Sequence, residues 1–165
     1  MQHVQTRSTT SALVLTAVLI ALATLFTMYT KIPVPGIRGY FNVGDVVIMT
    51  SVLLLGRKYG AYIGAIGPAL ADLFLGYAVF VPITFVVKGI EGYLVGTVYN
   101  NKTTTSALVA TIVGGIVIVA GYFIAEYFVF DPGVAIASIL TNTIQAVMSV
   151  IISMILYAIL RKRLG

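Results

Sequence analysis

Six apolar runs, parted only by short polar or turn-forming stretches, dominate what this chain can become. They cover residues 11–30, 43–55, 59–80, 82–99, 105–130 and 134–160, and a helix needs about 20 mainly apolar residues to cross a bilayer. The chain is 59% hydrophobic and only 9% charged, against about 25% charged for a soluble domain. A water-facing surface cannot be built from it, so its solvent is lipid. The breaks "KIPVPGIRGYFN", "GRKYG", "NNKTTT" and "FDPG" carry the proline, glycine and asparagine of turns. The expectation is an all-α membrane protein: one six-transmembrane-helix bundle, with all 165 residues in a single integral membrane domain. The first run reads as a retained helix, because no small-residue cleavage site precedes a polar mature domain. The second run is short and must tilt or be covered by protein; the alternative is a re-entrant segment.

Lysines and arginines set the orientation, since they concentrate in cytoplasmic loops. With six crossings and the N-terminus inside, Arg7, Arg57, Lys58, Lys102, Arg161, Lys162 and Arg163 fall on the inner side, and Lys31 and Arg38 on the outer. Both termini are therefore expected in the cytoplasm, and the +5 net charge reports basic loops rather than a nucleic-acid partner.

"VVKGIEGYLVG", residues 86–96, places a lysine and a glutamate inside an apolar run. Charge at the bilayer centre costs about 2.5–3.5 kcal/mol on insertion scales, so such groups face the bundle interior, pair, or line water. Lys88 and Glu91 lie roughly 9 and 13 Å below the outer end of their span, at about 1.5 Å per residue. Asp72 falls near 12 Å in the third span, as orienter of Lys88. Asn42 and Asp45 open the second span from the same side, Glu126 is near the outer end of the fifth, and Asn142 and Gln145 lie two to three turns into the sixth. Their convergence predicts a cavity open to the outside and closed below. Tyr40, Phe41, Tyr77, Phe80, Phe85, Tyr93, Tyr122 and Tyr127 mostly fall in the same half, as interfacial anchors or stacking surfaces. The first outer loop is a candidate lid. Small residues mark helix contacts: Gly60, Gly64 and Gly67 in the third span, Gly92 and Gly96 in the fourth, and Ala17 and Ala21 in the first. The alanine step serves either packing within the bundle or docking of another protein.

Catalytic signatures are missing. The chain has no P-loop, no H-E-x-x-H and no cysteine; its one histidine, His3, lies in the N-terminal tail. No metal site, no cofactor and no enzymatic activity are expected: a binding cavity without an engine.

The run 41–96, "FNVGDVVIMTSVLLLGRKYGAYIGAIGPALADLFLGYAVFVPITFVVKGIEGYLVG", with the Ala17-x-x-x-Ala21 step, resembles the S-components of bacterial energy-coupling factor (ECF) vitamin transporters, in their riboflavin/hydroxymethylpyrimidine-type branch. The resemblance implies a multi-pass protein of the bacterial plasma membrane. It implies capture of a small water-soluble vitamin from outside, and docking through Ala17 and Ala21 onto a transmembrane scaffold subunit (EcfT-like) with two ATPase subunits. The substrate-binding residues expected are Asn42, Asp72, Lys88, Glu91, Tyr93, Glu126, Asn142 and Gln145. Their carboxylates favour a neutral or weakly basic ligand, hydroxymethylpyrimidine or pyridoxine, ahead of riboflavin or pantothenate. Two readings compete with this one. The first is a self-contained proton-coupled carrier relaying through Glu91, Asp72 and Glu126, and the second is a structural subunit without a ligand.

Overall fold

A computed structural model describes residues 9–33, 40–99 and 103–164. His3, Arg7, Arg38 and Lys102, and the tip of the candidate lid, lie outside these residues. Six helices occur among the described residues: α1 (Thr9–Tyr29), α2 (Gly44–Leu55), α3 (Arg57–Phe74), α4 (Phe80–Val98), α5 (Thr104–Val129) and α6 (Pro132–Leu164). Between α1 and α2 the chain forms a two-stranded antiparallel ladder, β1 (Ile32–Pro33) against β2 (Tyr40–Phe41). The hydropathy pattern does not announce this ladder. Helices α1, α4, α5 and α6 are long and apolar enough to cross a membrane; α2, at 12 residues, is shorter.

Helix α2 is the hub. It touches α1, α3, α4, α5 and α6, while α1, α3, α4, α5 and α6 pack against one another in that order around it. Every residue from Gly44 to Leu53 is buried, as expected of a helix that is apolar all round. Ile48 and Val52 are fully enclosed and share a core with Ala23, Ile63, Val95 and Ala110 from four other helices. The bundle's outside is also apolar: Val14, Ile116 and Leu140 are 59%, 62% and 69% exposed. An outer surface of this kind needs a lipid solvent.

Glycines draw α3 and α4 together, as the small-residue pattern anticipates. A Cβ on Gly92 would collide with the backbone of Gly60 and Ala61, one on Gly64 with the carbonyl of Lys88, and one on Gly96 with the backbone of Arg57. These contacts are backbone to backbone and cannot yield by a rotamer change. The same pairings set the polarity of the bundle, with the C-terminal end of α4 beside the start of α3. Arg161 on α6 donates to Thr104 Oγ1 at the start of α5, 3.0 Å away. Arg57, Arg161 and Lys162 therefore gather at one end, and the polar cluster lies toward the other.

The third apolar run is shorter than its hydropathy suggests. Helix α3 stops at Phe74, and Phe80 begins α4. Gly76, at φ +82°, turns the chain in a conformation that glycine adopts without strain, and the apolar residues around it hide the break. Asp72 is thus in the last turn of its helix rather than deep within it.

We expect Gly92→Ala to cost about 1–3 kcal/mol, the scale of overpacking. Gly115→Ala, whose nearest neighbour is the Ala146 side chain at 3.3 Å, should cost less. Thermal unfolding of the purified protein in mild detergent checks the order; equal losses would mean that the α3–α4 crossing is not the tight one.

Candidate functional site

The site is built around a stretch of non-helical backbone inside the bundle. Residues 42–44 lead from β2 into α2, yet Asn42, Gly44 and Asp45 are buried. Irregular backbone at such depth is tolerated only where protein satisfies its polar groups, and here three consecutive amides are each held by a side chain. Asn42 N donates to Gln145 Oε1 (3.0 Å), Val43 N to Thr30 Oγ1 (3.0 Å) and Gly44 N to Asn42 Oδ1 (2.8 Å). Gln145 then uses its other end, donating from Nε2 to Asp45 Oδ2 at 2.7 Å.

Asp45 passes the network to α4. Lys88 Nζ lies 2.5 Å from Asp45 Oδ1 and 3.2 Å from Glu91 Oε2, and the three residues are 2%, 1% and 0% exposed. An ammonium group this deep persists because two carboxylates and the face of Tyr122, 5.4 Å from Nζ to ring centroid, replace its water. This answers how a lysine and a glutamate sit in an apolar run: they pair with each other and with α2.

Asp72 does not orient Lys88, contrary to the sequence reading. Its Oδ1 accepts from the Tyr40 hydroxyl at 2.5 Å, and Asp45 takes the place expected for it. Depth along a helix put both carboxylates near Lys88; only the central position of α2 decides which one reaches it. Burial, and then the adjacent Asp72 carboxylate, raise the Tyr40 hydroxyl far above the ordinary phenol range, so it remains a donor at physiological pH. Tyr40 also packs edge-on against Tyr77, at 5.0 Å between centroids, with Lys31 Nζ 4.8 Å from the Tyr77 ring. The base of the candidate lid is an aromatic cover pinned to α3 through Asp72.

Beneath that cover is a cavity of about 40 Å³, several-fold below the roughly 300–1,000 Å³ of ligand pockets. Asn42, Asp72, Lys88, Glu126, Asn142 and Gln145 line it, together with Tyr40, Phe80 and Tyr122. Glu126 Oε2 accepts from the Ser138 hydroxyl. Thr84 and Tyr122 share a hydrogen bond of 3.0 Å. Asn142 Nδ2 and Thr27 Oγ1 also belong to residues that line the cavity, buried and without a hydrogen-bond partner among the described residues. Glu91 lies below Lys88 and not on the wall. Lys88 pairs with Asp45 and Glu91, so the carboxylates left on the wall are those of Asp72 and Glu126, whose hydrogen-bond partners among the described residues are neutral hydroxyls.

Tyr93 stands apart. It is 47% exposed, and the Arg57 guanidinium lies 5.8 Å from its ring centroid, toward the opposite end of α4. At 100° per residue the five-residue step from Lys88 turns it about 140° away. Asp45, Ser138, Thr84 and Thr27 join the cluster without having been singled out as site residues. Asp45 alone carried a signal, three residues from Asn42 at the same depth. Ala17 and Ala21 are exposed on α1, whereas Ala23, on another face, is fully buried and meets Gly67 of α3. The alanine step is thus not used for packing inside the bundle.

Five comparisons bear on what this arrangement serves. A family profile described as "ECF-type riboflavin transporter, S component" matches residues 7–162. A Pyrococcus woesei protein described as "Uncharacterized protein in gap 3'region" is 41% identical over 145 residues, covering 86% of this chain and 96% of that one. The "Thiamine precursor transporter HmpT" of Lactococcus lactis subsp. cremoris (strain MG1363) is 30% identical over 149 residues, covering 89% of this chain and 83% of that one. Among solved structures, the S component of a bacterial ECF transporter superposes with a TM-score of 0.77 at 21% identity, over 94% of this chain and 98% of that one. A biotin S-component from an ECF-type ABC transporter gives 0.66 at 17% identity, over 89% and 90%. At these identities the two structures speak for the fold alone.

Lys88→Met should lower stability by about 3–5 kcal/mol, because it leaves two buried carboxylates unpaired. Adding Asp45→Asn and Glu91→Gln should restore part of the loss. Chemical unfolding of the three proteins in detergent measures both effects; a Lys88→Met protein as stable as the parent would show that the ion pairs do not hold α2 to α4.

Proposed function

This chain belongs to the family of ECF-type riboflavin transporter S components, substrate-binding membrane subunits that work with an ECF module, and from that premise we propose that it captures a thiamine-precursor-like heterocycle, hydroxymethylpyrimidine first and pyridoxine second. The observation that carries the ligand class is the wall of the cavity. Two carboxylates with no ion pair among the described residues, Asp72 and Glu126, line it beside Asn142 Nδ2 and Thr27 Oγ1, which have no hydrogen-bond partner there. A small aromatic ring bearing an amine and a hydroxyl suits such a wall: its donors go to the carboxylates, a ring nitrogen accepts from Asn142, and Tyr122 and Phe80 flank the ring. An anionic vitamin such as pantothenate meets like charge. Riboflavin, with three fused rings, demands the largest expansion of the cavity. The Lactococcus relative's description as a thiamine precursor transporter points the same way.

In this proposal the chain is one domain that crosses a prokaryotic plasma membrane six times, with both ends and the Arg57–Arg161–Lys162 end in the cytoplasm. Ala17 and Ala21 present a low face on α1 to an EcfT-like scaffold, and two ATPases on that scaffold supply the energy. Asn42 and Gln145 hold the wall in place, and Lys88, Asp45 and Glu91 form its floor. Entry of a ring requires the Tyr40–Tyr77 cover to move, because a cavity of about 40 Å³ is too small to hold one.

Calorimetry on the purified chain against hydroxymethylpyrimidine, pyridoxine, riboflavin, thiamine, biotin and pantothenate tests the ligand. We expect the first to bind most tightly. Asp72→Asn and Glu126→Gln should each weaken it by about ten- to a hundredfold, the scale of a lost hydrogen bond to a charged group. Tightest binding of an anionic vitamin would sink the ligand assignment. Uptake by this chain alone, driven by a proton gradient, would instead sink the dependence on a module. Tyr40→Phe frees the cover from Asp72, so ligand dissociation in a chase experiment should become faster; an unchanged rate would mean that the cover does not gate exit.

A further inference from the structure

On the outside of the bundle, lined by none of the residues of the polar cavity, α5 and α6 leave a groove of about 550 Å³. Gly115, Ala120 and Ala146 form recessed parts of it, Ile116 and Ile151 are among its bulkier walls, and Thr143 is its polar residue. The groove runs toward a second recess of about 340 Å³ at the basic end, lined by Thr104, Tyr157, Ala158, Arg161 and Lys162. The two lie on one stripe of both helices. Ala158 and Lys162 follow Ile151 at seven and eleven residues, and Thr104 precedes Gly115 by eleven; these steps return to the same helix face. Arg161 bridges the helices at the mouth through its bond to Thr104 Oγ1. The ion pairs found among the described residues are both made by Lys88, so neither Arg161 nor Lys162 has a carboxylate partner there.

We propose that this seam is a binding site for an anionic phospholipid, with the phosphate on Arg161 and Lys162 and one acyl chain laid between α5 and α6. Charge and length support the choice of occupant. Basic recesses between membrane helices attract anionic headgroups. Arg161 stands ten residues, about 15 Å, beyond Ile151, which matches half of a hydrocarbon core about 30 Å thick. A lipid seated on the two cations therefore delivers the end of its tail to the near mouth of the groove. A small anion would use the recess alone and leave the groove unused. A zwitterionic lipid would bring its own cation against Arg161 and Lys162.

The test uses the full chain in bilayer nanodiscs with two photoactivatable probes that share one tail, a phosphatidylglycerol and a phosphatidylcholine, each with a diazirine near the chain end. Labelled positions are mapped by mass spectrometry. The phosphatidylglycerol probe should label α5 and α6 around Ile116 and Ile151 about tenfold more than the phosphatidylcholine probe, on the scale of two basic residues at a membrane surface. R161A/K162A should abolish the preference, and R161K/K162R should keep it. Ala158→Trp, which obstructs the recess from an exposed position, should lower labelling by both probes. Equal labelling by the two probes overturns the assignment and hands this face to a protein partner. Full competition by millimolar glycerol phosphate overturns it in favour of a headgroup-only anion site, and labels confined to other helices overturn it outright.

Discussion

The contact between Lys88 and Asp45 is the interaction on which the rest of this architecture depends. It joins the middle of α4 to the first turn of α2, and α2 is the element that every other helix touches. Lipid offers no water to an ammonium group, so Lys88 must find its counter-charges inside the bundle. Finding them on α2 fixes the depth and rotation of the central helix. Gln145 then reaches Asp45 from α6, and the Asn42 backbone hangs from Gln145. The electrostatic demand of one lysine thereby organises four elements. The buried triad is not a cheap source of stability, because desolvating three charges offsets much of their attraction. Its value is positional, since few arrangements of these helices satisfy all three groups together.

Charge pairing also separates two jobs that polar residues perform in the half of the bundle away from Arg57 and Arg161. Asp45 and Glu91 serve Lys88. Asp72 and Glu126 serve the cavity wall, with hydroxyls as their partners. A composition count cannot draw this distinction, because all four are carboxylates at similar depth. It decides the sign of the field a guest meets, and so underlies the proposal of a donor-rich ring rather than an anion.

Much of the fold was legible in advance because lipid imposes a coarse and strict code. Apolar runs announced the helices, and small-residue spacing marked the third and fourth as places of close helix approach. Depth along each run announced that Asn42, Lys88, Asn142 and Gln145 share a level. Azimuth and partnership were harder to read. Asp72 and Asp45 compete for Lys88 at equal depth, and only packing around α2 chooses between them. Tyr93 shares a helix with Lys88 but faces elsewhere, a matter of rotation that a depth argument ignores. The end of α3 was invisible because Gly76 turns the chain within residues as apolar as those of the helix. The short β1–β2 ladder escaped notice since two-residue strands carry no periodicity.

The stretch from Asn42 to Gly44 has a mechanical meaning. Three successive amides are anchored to Thr30 beyond α1, to α6 and to the segment's own asparagine, and the same strand continues upward into Tyr40. A tug on the tyrosine is therefore transmitted as a pull on the root of the central helix. A cover that opened as proposed would act as a lever with its fulcrum sunk in the bundle, and swinging it would disturb the floor of the chamber below.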